Sequence, residues 1–66
     1  MRIHVNGEVK DVPDGLDLKA LLELLSFPQQ RVAVELDRKV IRRVDWPMTS
    51  ISEGSQVEIV HFVGGG

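Results

Sequence analysis

The residues of this chain best suited to chemistry are its last four, Val63-Gly64-Gly65-Gly66. Three consecutive glycines lose more backbone entropy on ordering than any other residues would. A segment of this kind is expected to protrude and move. Fully extended, four residues reach about 13–14 Å. That length carries the carboxylate of Gly66 into a narrow channel of another protein, and the missing Cβ atoms of Gly64 and Gly65 allow close backbone approach. A carboxylate so delivered can attack the α-phosphate of ATP to form an acyl-adenylate. The mixed anhydride is then open to a sulfur nucleophile. The plainer reading of such an end is a frayed terminus or a cloning remnant.

Other constellations are weaker. A metal or acid–base pair would need His4 and His61 close together. Strand parity sets His4 on the side away from Ile3 and Val5, and His61 on the side of Val57 and Ile59. The two rings are therefore expected on opposite faces of a sheet, as structural histidines. Cysteine is absent, and no His/Asp cluster has ligand spacing, so no metal site is expected. Asp11, Asp14, Asp17 and Glu23 are scattered, with no catalytic carboxylate pair among them. Arg38-Lys39 and Arg42-Arg43 read as a solvated face, with docking as the second reading.

A chain of 66 residues forms one domain. It buries only about 60% of the surface that it exposes unfolded. One modest core fits; a deep catalytic cleft beside it does not. This favours a carrier, inhibitor or adaptor over an enzyme. Ten acidic residues outweigh eight basic ones, for a net charge of −2, which argues against nucleic-acid binding. No signal peptide is recognisable. No apolar run approaches the roughly 20 residues that span a bilayer. With no cysteine to form a disulfide, a cytoplasmic location is expected. The absence has a chemical meaning too: sulfur handled by this chain cannot sit on a side-chain thiol.

The elements that must present the tail follow from periodicity. Arg2 to Val5 alternates polar and apolar, as a half-buried strand does. Asn6-Gly7 is a strong hairpin signal, and Glu8 to Val12 reads as the returning strand, with Val12 departing as Pro13 approaches. After the Pro13-Asp14-Gly15 turn, Asp17 is positioned as a helix N-cap. Leu16 and Leu21 occupy the staple positions. Leu18, Leu21, Leu22 and Leu25 form one apolar stripe. The helix is expected to end at Ser26-Phe27-Pro28, because Pro28 disfavours helical geometry before it. Val32, Val34 and Leu36 mark a third strand, Asp37-Arg38-Lys39 a turn, and Val40-Ile41-Arg42 a short strand. Arg43 to Ser52 reads as irregular, with Trp46 at the rim of the core beside Pro47. After the Glu53-Gly54-Ser55 turn, Val57 to Phe62 forms the last strand.

This order predicts an α+β fold. The expected architecture is a β-grasp (ubiquitin-like) domain: a mixed sheet of four to five strands, first and last adjacent, with one main helix on one face. Residues 1–62 form the domain and residues 63–66 the flexible tail. If Val57 and Ile59 face the helix, Val60 and Phe62 face the other side. With Val63 they make a candidate partner-binding patch beside the tail; the other possibility is that Phe62 folds back over the core edge.

The chain resembles the ThiS family, the sulfur carriers of thiazole formation in thiamin biosynthesis. The resemblance rests on the strand pair around Asn6-Gly7, the Gly15-x-Asp17-Leu18-x-x-Leu21-Leu22 helix entry and the Val32-Ala33-Val34-Glu35-Leu36 strand. Ile41-x-Arg43-x-x-Trp46, Gly54-x-x-Val57-Glu58-Ile59-Val60 and the final Gly65-Gly66 complete it. Ser55, where the family often has an acidic residue, and the extra Gly64 depart from the pattern. The resemblance implies a non-catalytic carrier with no bound cofactor. A ubiquitin-activating-like enzyme would adenylate Gly66 with ATP and magnesium. Sulfur from a cysteine desulfurase would convert it to a thiocarboxylate, which thiazole synthase would accept. The alternatives are a sulfur carrier for molybdopterin or tRNA thiolation, a ubiquitin-like modifier, and an interaction module with an inert tail.

Overall fold

The fold begins with a turn that its residue types demand. Asn6 and Gly7 both have positive φ (51° and 83°), as a type I′ turn requires. They join β1 (Arg2–Val5) to β2 (Glu8–Asp11) in an antiparallel pair that runs from Val5 opposite Glu8 to Arg2 opposite Asp11. The computed structural model describes residues 1–62. The expected tail, residues 63–66, lies outside the described residues.

Strand β2 stops one residue before the predicted limit. Val12 turns into the core instead, where it is buried. Its N–H donates to the carbonyl of Met1 at 2.8 Å, and its carbonyl accepts from the Met1 amino group at 2.6 Å.

Helix α1 (Leu18–Leu24) starts where Asp17 caps it. The Asp17 Oδ1 accepts from the N–H of Ala20 at 2.8 Å, satisfying one amide that the helix start leaves free. Leu18, Leu21 and Leu22 are fully buried, while Leu16 and Leu25 pack at the edge of the same core. The end of the helix differs in cause from the prediction. Ser26 adopts φ +62°. The N–H of Phe27 donates to Leu22 and that of Ser26 to Glu23, at 2.9 and 3.1 Å. This is a Schellman motif with serine in the left-handed position. The chain has already turned before Pro28 is reached.

A 3-10 turn (Gln29–Arg31) leads into β3 (Val32–Leu36) and then β4 (Lys39–Ile41). β4 lies one residue earlier than predicted, because its turn holds only two residues. Asp37 and Arg38 both have positive φ (50° and 71°). Asp37 is held there from both sides of Gln56: its N–H donates to the Gln56 carbonyl at 2.8 Å, and its Oδ1 accepts from the Gln56 N–H at 2.9 Å.

The segment read as irregular contains a 3-10 helix (Arg43–Met48). Trp46, expected at the rim, is instead 1% exposed and among the largest fully buried side chains. Its Nε1–H donates to the carbonyl of Ile41 at 2.9 Å, which gives the indole's one polar atom the partner that burial requires. Gly54 (φ 82°) then turns the chain into β5 (Gln56–His61).

The five strands lie in the order β2-β1-β5-β3-β4. β5 runs parallel to β1, with Val5 opposite Val57, and antiparallel to β3, from Val32 opposite His61 to Leu36 opposite Val57. The mixed sheet, the adjacency of first and last strands and the single main helix are as the sequence predicts. Ile3, Val5, Val34, Val57 and Ile59 share one core with the helix leucines and Trp46.

Candidate functional site

Strand β5 leads directly to the tail, so its surroundings define the site. Its burial alternates: Val57 and Ile59 are buried while Gln56, Glu58 and Val60 are exposed. A period of two sends these sets to opposite faces. Val60 is 60% and Phe62 52% exposed. Phe62 therefore does not fold back over the core. Its N–H donates to the carbonyl of Arg31 at 2.8 Å, which continues the β3–β5 ladder to the last described residue. Val63, Gly64, Gly65 and Gly66, the remaining predicted site residues, lie outside the described residues.

On its other side, β5 is held by a side chain. Asn6 Oδ1 accepts from the N–H of Ile59 at 2.7 Å, and Asn6 Nδ2 donates to the Ile59 carbonyl at 3.2 Å. The amide thus extends the β1 ladder by one rung after the backbone has turned away. Sequence reasoning assigned Asn6 only to the hairpin. Its second role joins residues 53 positions apart, and no local signal carries it.

Among the described residues, the exposed apolar surface extends beyond Val60 and Phe62 of the three predicted residues. Ala33 stands opposite Val60. Val40 stands opposite Glu35 and is 72% exposed. Phe62, Ala33 and Val40 line a shallow groove together with Arg42 and Arg43. Glu35 and Glu58 face each other directly across β3 and β5.

The remaining candidates have local structural roles. His4 lies between the buried Ile3 and Val5, so it points to the helix-free face. His61 shares the side of Ile59, and its ring centroid is 5.8 Å from that of Phe27. The two histidines are on opposite faces, as parity predicts. Asp11 pairs with Arg2 at 3.3 Å, Asp14 with the Met1 amino group at 3.0 Å and Glu23 with Lys19 at 3.7 Å. Arg42 lies 3.9 Å from Asp45. Among the described residues there is no group of three side chains able to hold a metal ion. No described helix is long and apolar enough to cross a membrane.

The geometry of the described residues is thus that of a small body with one covered sheet face, one open sheet face, and a central strand, β5, as its last element. Residues 3–66 match the model of the ThiS family. The chain belongs to the ThiS family. The crystal structure of a thiamine biosynthesis protein (ThiS) from Geobacter metallireducens superposes with a TM-score of 0.87 at 35% identity, covering 100% of both chains. A thiazole synthase from Magnetococcus marinus is 41% identical over 66 residues. The match takes in 100% of this chain and 20% of that relative, so the chain spans one fifth of its length. An uncharacterized protein, ycf40, from Porphyra purpurea is 34% identical over 64 residues, 97% of this chain and 90% of its own.

Proposed function

We propose that this chain is a sulfur carrier of thiamine biosynthesis that delivers sulfur to thiazole synthase and catalyses nothing itself. The observation that carries the proposal is family membership along residues 3–66, supported by the full-length likeness to a thiamine biosynthesis ThiS structure. The match to one fifth of a thiazole synthase supports that enzyme as the partner.

The reactive group is the carboxylate of Gly66. It attacks the α-phosphorus of magnesium-bound ATP on an adenylating enzyme of the ubiquitin-activating kind, and pyrophosphate leaves. A persulfide, charged by a cysteine desulfurase, attacks the acyl carbon and displaces AMP. A second thiol then cleaves the resulting acyl disulfide and releases the thiocarboxylate. Because the chain has no cysteine, the acyl group is the place where sulfur can be carried. Gly64 and Gly65 act as the slim arm that enters the partners' channels, residues 1–62 as the handle, and Val60, Phe62 and Val63 as the surface that partners grip. We take these steps to run in the cytoplasm, where ATP and reduced thiols are both available.

Intact mass spectrometry tests the proposal. After incubation with the adenylating enzyme, ATP and a persulfide donor, the chain should gain the mass difference between one sulfur and one oxygen. The chain lacking Gly66 should gain nothing. An unchanged mass of the full chain, together with rescue of thiamin-requiring cells by the shortened one, would rule the carrier role out. Rescue of molybdenum-cofactor-deficient cells instead would assign the chain to the other pathway.

A further inference from the structure

The tip of the first hairpin joins two residues that can react with each other. Asn6 is the one asparagine of the chain, and Gly7 follows it. The backbone nitrogen after an asparagine can attack the side-chain amide carbon and close a five-membered imide. Glycine leaves that nitrogen least shielded, because it has no Cβ. Asn6 and Gly7 are both exposed, and nothing lies within 4 Å of where a Cβ on Gly7 would stand, so water and base reach the site. Two features of the fold oppose the ring. A type I′ turn sets ψ of its first central residue at about +30°. That ψ puts Cβ and the next nitrogen on opposite sides of the Cα–C bond, whereas ring closure needs them on the same side. The amide itself is also fixed. Its Oδ1 accepts from the Ile59 N–H at 2.7 Å, and its Nδ2 donates to the Ile59 carbonyl at 3.2 Å. The backbone rung before it runs from the Asn6 N–H to the Val57 carbonyl at 2.9 Å. The group that would react is therefore also the last rung between β1 and β5 among the described residues.

We propose that Asn6-Gly7 is a deamidation site that the Ile59 clamp holds shut, so that the reaction proceeds from chains in which β5 has come away from the hairpin tip. A base takes the Gly7 amide proton, and the nitrogen bonds to Asn6 Cγ. The Cγ–Nδ2 bond breaks, and ammonia leaves with a proton returned from solvent. Water then opens the cyclic imide at either carbonyl. Opening at the backbone carbonyl gives isoaspartate, and opening at Cγ gives aspartate. Nothing is oxidised or reduced, and water is the only co-reactant. Neither product rebuilds the clamp. An aspartate keeps an acceptor for the Ile59 N–H but sets its second oxygen against the Ile59 carbonyl, acceptor against acceptor. An isoaspartate runs the main chain through Cβ. That adds an atom to a two-residue turn whose two positive φ values fix the register of β1 against β2. The change is one-way, so each chain keeps a record of time spent open at β5. This inference does not depend on the carrier reading.

The test incubates the full native chain at mildly alkaline pH in buffer and in rising guanidinium chloride, up to complete unfolding. Intact mass is followed, together with the tryptic peptide of residues 3–10, which Arg2 and Lys10 delimit. The unfolded chain should gain the mass difference between water and ammonia, on that peptide, as a mixture of aspartate and isoaspartate. The folded chain should react about tenfold or more slowly. The rate should climb at the same denaturant concentrations as hydrogen exchange at the Ile59 amide. N6D, which stands in for the aspartate product, should melt about 4–8 °C below the native chain, with faster exchange at Ile59. Equal rates in the folded and unfolded chains would overturn the proposal, because the clamp would then hold nothing shut. Acceleration while the Ile59 amide stays protected would overturn it too. An unchanged mass in the unfolded chain would remove the site itself. Native-like melting and exchange in N6D would overturn the loss of the clamp in the aspartate product. Sulfur loading of Gly66 enters none of these readouts, so the carrier role is judged separately.

Discussion

Trp46 and Asn6 show how much of a 66-residue fold can hang on one side chain. The indole of Trp46 is fully buried in the core and donates to the carbonyl of Ile41. Truncation to alanine leaves a cavity and an unpaired carbonyl, with an expected cost of about 3–5 kcal/mol. A domain of this size has about that much stability in total. Trp46→Ala should therefore be largely unfolded at 25 °C by circular dichroism, while Trp46→Phe should remain folded with a lowered urea midpoint. Asn6 makes a finer test, because its two roles separate. Asn6→Gly keeps the positive φ of the turn but loses both bonds to Ile59. An expected loss of about 1–2 kcal/mol follows from two neutral hydrogen bonds, with faster hydrogen exchange at the Ile59 amide as its local signature. Unchanged exchange there would mean that the clamp contributes nothing.

At the scale of elements, what the sequence reveals depends on whether the controlling residues are neighbours. The strands β1, β3 and β5 and the helix stripe were legible because alternation and the i, i+3, i+4 pattern are properties of adjacent residues. The 3-10 helix around Trp46 was not, since Pro47 interrupts the segment and short 3-10 runs have no extended apolar period. The turn before β4 was misplaced because an arginine at φ 71° breaks the rule that such positions go to glycine or asparagine. It is tolerated because Gln56 holds Asp37 on both sides. The end of α1 was attributed to Pro28, whereas Ser26 in the left-handed region terminates it. These two causes differ in outcome. Ser26→Gly removes the penalty of a Cβ at positive φ and should stabilise the protein by up to about 1 kcal/mol, raising its melting temperature by about 4–8 °C. Pro28→Ala should leave helix content unchanged by circular dichroism. An increase in helix content in Pro28→Ala would restore proline as the stop.

At the scale of the whole molecule, fold and proposed chemistry are drawn from different residues. The core runs from Ile3 to Ile59, whereas the proposed reactive carboxylate belongs to Gly66. Parity alone gave Val60 and Phe62 as open-face residues. Val40 was not legible because its register against β3 depends on a turn that local rules misplace, and the Glu35–Glu58 pair was not because β3 and β5 are far apart in sequence and their register has no local signal. The separation makes stability and carrier activity independently adjustable. The described core lies between Ile3 and Ile59, so removing Gly66 should leave the melting temperature within about 2 °C of the native value, as for substitutions away from the core. Sulfur loading, by contrast, should be abolished outright. Val60→Ser is expected to behave likewise for stability, since its side chain is already 60% exposed, and to weaken partner binding without touching the acyl chemistry. Single-turnover loading at saturating enzyme separates the two variants. Saturation should restore the Val60→Ser chain, whose defect is in docking, and leave the chain without Gly66 inert. If saturation fails to restore Val60→Ser, the open face acts on the chemistry itself, and a division between handle and reactive end no longer describes this molecule.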